Sequence, residues 1–93
     1  MQPLSPEEAQ SRLTSLPGWQ IEAGELVKTL QFKDFLSALQ FVNRVGELAE
    51  QVGHHPDIDI RYNRVRLALT THDAGGLTQR DFDLAVQVQK LSH

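Results

Sequence analysis

The segment DIDIRYNRVRLALTTH, residues 57–72, restricts the fold of this chain more than any other stretch. Apolar residues alternate with polar ones on both sides of a short polar centre, which is the pattern of a half-buried β-hairpin. Asn63-Arg64 is predicted to form a two-residue loop, because Asn tolerates the positive φ that such a turn needs. A chain of 93 residues with this hairpin is expected to build an antiparallel sheet.

The predicted loop also sets the register of the two strands. It places Ile60 opposite Leu67 and brings like residues together across the ladder. If the strands stay paired past Pro56, the same register places His55 opposite His72, although the two are far apart in sequence. The hairpin is therefore expected to bring two distant histidines together.

The rest of the chain alternates between helical and extended patterns. Apolar residues at helical spacing predict amphipathic helices over 5–16, 34–52 and 78–91. Residues 19–32 alternate around Ala23-Gly24 and predict a second hairpin. The order αββαββα gives an α+β fold, a two-layer sandwich with an antiparallel four-stranded sheet and the helices on one face. No linker or repeat divides residues 1–93, so we expect a single domain.

Composition and charge exclude several classes of function. The net charge of −3 comes without any run of Lys and Arg that could bind nucleic acid or an anionic membrane surface. Cysteine is absent, so no disulfide, thiolate metal site or thiol nucleophile is available. No signal peptide and no membrane-spanning apolar run are recognisable, which predicts a cytoplasmic protein.

The helix predicted over 34–52 carries a broad apolar face. Phe35 and Val45 belong to its main stripe, while Leu36 and Leu48 widen it. Such width fits either packing in the core alone or contact with a partner subunit, as in a homodimer or homotetramer.

Three of the four histidines are predicted to converge on one place. Gly53 should end the long helix, so His54 and His55 follow a helix end and His72 reaches them across the hairpin. Glu50 lies four residues before His54 and is predicted to hold or polarise that imidazole. Any one of these histidines could simply interact with the helix dipole, but three together favour a reactive site.

Other kinds of site fit this pattern less well. Three histidines and a glutamate could hold zinc or iron, but neighbouring side chains in an extended segment point to opposite sides, so His54 and His55 are poorly placed for one ion. No serine lies in a nucleophile turn of the G-x-S-x-G kind. Gly75-Gly76 lacks the spacing and the lysine of a phosphate loop, and either turns the chain or lets its backbone approach a flat ligand.

The spacing of these residues resembles the signature of the pterin-4a-carbinolamine dehydratase family. The matching positions are Glu50, His54, His55, Pro56, Tyr62, His72 and Asp81. The resemblance extends over essentially the whole chain and includes FKDF at 32–35 and THDAGGLTQRD at 71–81. It implies the αββαββα fold, dimers that join their sheets edge to edge, tetramers assembled through the long helices, and no metal or organic cofactor.

The reaction that the resemblance implies is a dehydration. Enzymes of this family remove water from 4a-hydroxytetrahydropterin, the product of aromatic amino acid hydroxylases, to give quinonoid dihydropterin. The resemblance makes His54 and His72 general acids on opposite sides of the substrate, while His55 binds substrate with some base character and Glu50 orients His54. Imidazoles suit these roles because they donate and accept protons near neutral pH. All three are expected at a pocket mouth, where substitution should barely change folding.

Further residues are assigned to substrate binding by the same resemblance. Trp19 and the Gly75-Gly76 loop are expected to border the pterin, although Trp19 also suits the core. Asp81 is expected near the substrate, although it also suits the first turn of the last helix. The implied partners are a pterin substrate and, functionally, a hydroxylase. Animal members also serve as dimerisation cofactors of a homeodomain transcription factor, so the alternative is a non-enzymatic interaction module that regulates a partner protein.

Overall fold

Three helices and two hairpins follow one another in the order expected from the sequence. The computed structural model describes residues 2–91, so His93, expected to be part of the tail, lies outside the described residues. The elements are α1 (Pro6–Leu13), β1 (Gln20–Glu22), β2 (Glu25–Gln31), α2 (Phe35–Val52), β3 (Asp57–Arg61), β4 (Arg64–Leu69) and α3 (Gln79–Leu91). A short 3-10 helix, His72–Ala74, lies between β4 and α3. This order confirms the predicted α+β fold.

Local hydrogen bonds fix where the first two helices begin. The Ser5 hydroxyl accepts from the Glu8 N–H and the Glu8 carboxylate accepts from the Ser5 N–H, which forms a capping box. The Asp34 carboxylate caps α2 by accepting from the Ser37 N–H at 2.8 Å, and this bond holds the pKa of Asp34 below its ordinary value. Gly53, with φ of 68°, ends α2 in the left-handed conformation. The chain therefore changes direction immediately before His54.

The sheet is antiparallel with the strand order β1-β2-β4-β3, and apolar side chains of all three helices share one core with those of the strands. Alternate residues of β2 and β4, such as Leu26, Val65 and Leu67, point towards the helices and are fully buried. The helices contribute the facing side chains of the core, among them Phe41 and Val45 of α2. The strand β3 lies at the edge of the sheet.

The register of the second hairpin differs from the prediction by two residues. Ile60 pairs with Val65 instead of Leu67, and the loop is Tyr62-Asn63. Asn63 is held in the turn because its side-chain amide donates to the Phe32 carbonyl at 2.8 Å while its own carbonyl accepts from the Phe32 N–H. Tyr62 takes the positive φ, 53°. A shift of two keeps every side chain on the same face, so alternation alone could not distinguish the registers.

The predicted pairing of His55 with His72 along the ladder is therefore wrong. The ladder between β3 and β4 stops at Asp57 and Ala68, before either histidine is reached. The two histidines approach one cavity through the loops that follow α2 and β4.

The long helix α2 buries only part of its apolar surface within a single chain. Ala38, Phe41, Val45 and Ala49 are buried, whereas Phe35, Leu36 and Val52 are 46%, 63% and 47% exposed. The width of the apolar face therefore exceeds what the core of one chain covers, and the homodimer or homotetramer stays a prediction. Within residues 2–91, no helix is both long and apolar enough to cross a membrane.

Candidate active site

Three histidines line one open cavity of about 240 Å³ at the end of α2. His54 and His55 follow Gly53, the C-terminal glycine of that helix, and His72 begins the 3-10 helix after β4. The cavity is lined by Gly53, His54, His55, Thr70, Thr71, His72, Asp73 and Arg80. The loops after α2 and β4 thus bring together the three histidines singled out in the sequence.

The His54 imidazole is hydrogen-bonded to a buried carboxylate of α3. Its Nε2 lies 2.6 Å from Asp81 Oδ1, and the two side chains are 9% and 0% exposed. Asp81 also caps α3, because its Oδ2 accepts from the Thr78 N–H at 2.9 Å. The structure therefore places Asp81 in the first turn of α3 and in contact with His54, and its contact with a substrate stays a prediction.

The hydrogen bonds around Asp81 determine which nitrogen of His54 carries the proton. Oδ2 accepts from the Thr71 hydroxyl at 2.9 Å as well as from the Thr78 N–H. The Thr78 hydroxyl must then donate to Thr71 Oγ1, 2.8 Å away, while itself accepting from the Arg80 N–H. An ionised carboxylate only accepts hydrogen bonds, so beside an ionised Asp81 the His54 Nε2–H is the donor to Oδ1.

The other ring nitrogen of His54, Nδ1, is the one that a ligand can reach. No hydrogen bond joins Nδ1 to any of residues 2–91. Nor does that part of the chain contain a buried side-chain nitrogen or oxygen without a partner, so Nδ1 must contact solvent. In the neutral imidazole this nitrogen is an acceptor, and after protonation it is a donor.

Glu50 pairs with His55 and not with His54, which corrects the sequence-based prediction. His55 Nε2 and Glu50 Oε2 form an ion pair whose side chains are 60% and 77% exposed. The rule of four-residue spacing assumes a continuous helix, and the left-handed Gly53 interrupts it. The His54 side chain is therefore buried against Asp81 of α3, whereas the His55 side chain contacts Glu50 in the last turn of α2.

His72 is the most weakly constrained of the three imidazoles. Its residue is exposed, and its side chain forms no hydrogen bond with residues 2–91. The backbone is well held, because the Thr71 carbonyl accepts from Ala74 N–H at 3.0 Å and from Gly75 N–H at 3.1 Å. The turn therefore places the His72 side chain at the cavity but leaves its rotamer free.

The Gly75-Gly76 loop lies on the far side of His72. It lines a neighbouring cavity of about 330 Å³, which also includes Thr70 and His72, but not the histidine cavity itself. Gly75 has a φ of 77°, and Gly76 forms a β-bridge with Thr71. Both glycines therefore serve the turn, as the structural interpretation of the sequence expected, and their contact with a pterin stays a prediction.

Trp19 belongs to the hydrophobic core, one of the two positions expected for it, and its contact with a pterin stays a prediction. It is 4% exposed, its Nε1–H donates to Gln89 Oε1 at 3.2 Å, and it is not among the residues that line the histidine cavity. A tryptophan next to a helix-terminating Pro-Gly pair packs under the sheet edge because its large apolar surface outweighs its one polar group.

Two residues of the site were missed by the sequence analysis. Thr71 has the same strand parity as Leu67 and Leu69, so a polar residue at a core position was a usable signal that it needs a buried partner. Arg80 gave no such signal. Its Nη2 donates to the Gly53 carbonyl at 2.8 Å, which ties the first turn of α3 to the end of α2. Within residues 2–91, no three His, Asp or Glu side chains are grouped so that they could hold a metal ion.

The fold and the histidine cavity define an α+β protein with three imidazoles at one open cavity. A family model described as pterin 4 alpha carbinolamine dehydratase matches residues 2–91. A protein of Acidobacterium capsulatum, provisionally named pterin-4-alpha-carbinolamine dehydratase, is 59% identical over 98% of this chain and 99% of its own. A relative of the same provisional name from Nostoc sp. is 53% identical over 96% of each chain. The chain belongs to the pterin-4-alpha-carbinolamine dehydratase family.

Two solved structures share the fold. One, described as a transcriptional coactivator/pterin dehydratase from Brucella melitensis, matches with a TM-score of 0.94 and 31% identity over 99% of this chain and 100% of that one. The other, described as a pterin dehydratase-like RuBisCO assembly factor of the alpha-carboxysome, matches with a TM-score of 0.65 and 23% identity over 80% and 86% of the two chains. The second likeness extends to the fold alone.

Proposed function

We propose that this protein is a hydro-lyase that removes water from 4a-hydroxytetrahydrobiopterin, or from another 4a-hydroxytetrahydropterin, to give quinonoid dihydropterin. The observation that supports this most is the convergence of three imidazoles on one cavity, with one of them fixed by a buried carboxylate. Family membership supports the same reaction class.

The reaction requires one proton donor and one proton acceptor. The C4a–O bond breaks, the departing hydroxyl takes a proton and leaves as water, and the N5 proton passes to a base. The electron pair of the N5–H bond forms the C4a=N5 double bond, so no oxidant, reductant or cofactor is consumed. Imidazoles can supply both functions near neutral pH.

The three histidines differ in how they could serve this step. His54 would act through Nδ1, because Nε2 is committed to Asp81, and its position is fixed. His72 is exposed and can adjust its rotamer, which suits a second general acid on the opposite side of the substrate. His55 would bind the substrate and accept a proton, and Glu50 would orient His55 instead of the originally expected His54.

The cellular setting of the reaction follows from the same proposal. The substrate class connects the enzyme to an aromatic amino acid hydroxylase, and a cytoplasmic homodimer or homotetramer is the expected form. The alternative of an interaction module has one observation in its favour, the coactivator description of the Brucella structure. A buried His54–Asp81 pair favours the enzyme, because a surface that only binds a partner protein does not require a histidine fixed by a buried carboxylate.

The direct test is the rate of quinonoid dihydropterin formation by the purified protein, measured with excess chelator present. We expect turnover that chelation leaves intact, and we expect His72→Ala to slow it by about 10²–10⁴-fold, the loss typical of an acid–base group. Asn43→Ala, an exposed substitution on α2, is the matched control. Turnover no faster than the uncatalysed reaction, or turnover that disappears on chelation and returns with added metal, would contradict the proposal.

A further inference from the structure

A second cavity adjoins the histidine cavity at His54 and Arg80. It measures about 380 Å³, lies between the end of α2 and the start of α3, and shares those two residues with the histidine cavity. Its apolar side chains are Leu48, Val52 and Leu84, and its polar ones include Gln51 and Gln87. We call it the side cavity.

We propose that the side cavity binds the C6 substituent of the pterin substrate and makes the enzyme selective for an amphipathic substituent such as dihydroxypropyl. This inference rests on the proposed function. It goes beyond it by assigning the residues that recognise the part of the substrate that does not react.

The chemistry of the two flanks of the histidine cavity supports this choice. Apart from His72 itself, the flank beyond it is lined by Ala23, Gly24, Glu25, Thr70, Gly75 and Gly76, a set without any large apolar side chain. The side cavity offers three branched aliphatic side chains for the carbons of a substituent. An apolar pocket with a few polar groups is the usual form of a small-molecule subsite.

The polar groups of the side cavity suit hydroxyl groups on that substituent. The amides of Gln51 and Gln87, one from each helix, form no hydrogen bond with residues 2–91 and can each donate and accept. Asp83 adds a further acceptor on the same rim. A plain alkyl group would use the aliphatic walls but leave these groups to water.

Arg80 forms the boundary between the two cavities. It lines both, and its side chain is tied to the neighbouring loop by the bond from Nη2 to the Gly53 carbonyl. The residue is exposed, so solvent can replace that bond when the guanidinium moves aside. A substrate ring beside the histidines could then extend its substituent past Arg80 into the side cavity.

The test compares two substrates, 4a-hydroxytetrahydropterins that carry either methyl or dihydroxypropyl at C6. Val52→Trp places an indole in the side cavity and should raise the KM for the dihydroxypropyl substrate about tenfold relative to the methyl one, the size of effect that a filled or emptied subsite produces. Val52 is 47% exposed within a single chain, so the fold should tolerate the substitution, and sedimentation checks that the oligomeric state is unchanged. Gln87→Trp fills the same space from α3 and serves if Val52→Trp fails to fold.

Val86→Trp is the matched control, because Val86 is 39% exposed on α3 and lines neither cavity. It should leave the ratio of the two KM values unchanged. Equal KM changes for both substrates in Val52→Trp and Gln87→Trp, or none for either, would overturn the side-cavity inference while leaving the dehydratase intact. A wild-type protein that dehydrates neither substrate would overturn the proposed function, and the inference with it.

Discussion

Two adjacent histidines each pair with a carboxylate, and the two pairs lie in opposite environments. His54 and Asp81 are 9% and 0% exposed, whereas His55 and Glu50 are 60% and 77% exposed. The buried carboxylate is held by two further hydrogen bonds, from Thr71 and Thr78. For the exposed carboxylate, within residues 2–91, the His55 imidazole is the only side-chain partner.

The difference shows how one peptide bond can separate a fixed group from a mobile one. In a buried network each hydrogen bond is strengthened by the low local dielectric, and an unpaired member is costly, so the geometry is unique. An exposed ion pair is screened by water and salt and contributes little to stability. We therefore expect His54 to be a preorganised group and His55 an adaptable one, and the following predictions test that distinction.

The largest difference should appear in catalysis. Asp81→Asn replaces the acceptor of His54 Nε2–H by an amide of the same shape, so the ring loses its fixed tautomer, and kcat should fall about 10²–10⁴-fold. Glu50→Gln removes the charge from the exposed pair and should cost less than about tenfold, because solvent replaces it. The measurements are kcat for both variants and the ¹⁵N shifts of His54. Equal losses of kcat would remove the distinction between the pairs.

The second largest difference between His54 and His55 should appear in the free energy of unfolding. His54→Ala leaves a buried oxygen of Asp81 without its donor and should lower the free energy of unfolding by about 1–3 kcal/mol. This corrects the expectation that substitution of the histidines barely affects folding, which assumed that all three lie at a pocket mouth. His55→Ala should stay within about 0.5 kcal/mol of wild type in denaturant titration. If His54→Ala changed the free energy of unfolding as little as His55→Ala, the buried network would not be rigid.

A smaller effect is expected from the hydroxyl that supports Asp81. Thr71→Val keeps the shape but removes the donor to Oδ2 and the acceptor for the Thr78 hydroxyl, and should cost about 1–2 kcal/mol of unfolding free energy. Thr71→Ser should recover most of that loss. Thr70→Val is the matched control, since the Thr70 hydroxyl forms no hydrogen bond with residues 2–91. A loss of the same size in the control would show that the methyl group, and not the missing hydroxyl, is responsible.

The smallest effect concerns salt. A double-mutant cycle between Glu50→Ala and His55→Ala should give a coupling of about 0.2–1 kcal/mol at low ionic strength. In about 1 M NaCl, where the Debye length is about 3 Å, that coupling should vanish. The coupling between His54 and Asp81 should persist, because both groups are buried. A salt-resistant His55–Glu50 coupling would mean that this pair is also preorganised.

The sequence allowed the fold to be predicted almost element by element, because amphipathic periodicity and capping residues are local signals. The helix cap at Ser5 and the glycine end at Gly53 could be read directly. The register of the second hairpin could not be predicted, because a shift of two residues keeps every side chain on the same face of the sheet. The contact that decides the register, from the Asn63 amide to the Phe32 carbonyl, joins residues far apart in sequence.

The sequence analysis singled out the three histidines of the cavity, but it missed Thr71 and Arg80 and did not predict the pairings of the carboxylates. Spacing identified the three histidines, Glu50 and Asp81, yet the partner of each carboxylate depends on where the chain turns after Gly53 and where α3 packs. Four-residue spacing favoured a Glu50–His54 pair, and the left-handed glycine changed the partner. The burial of Asp81 is a tertiary property, which helical periodicity does not reveal.

Asp81 couples the local folding of α3 to the orientation of the His54 imidazole. The same carboxylate begins α3, joins that helix to the end of β4 through Thr71, and fixes His54. A chain whose C-terminal helix has opened locally would keep all three imidazoles but lose the one that is oriented. Hydrogen exchange at the first turn of α3 should therefore report the fraction of molecules that are competent for acid–base chemistry at any moment.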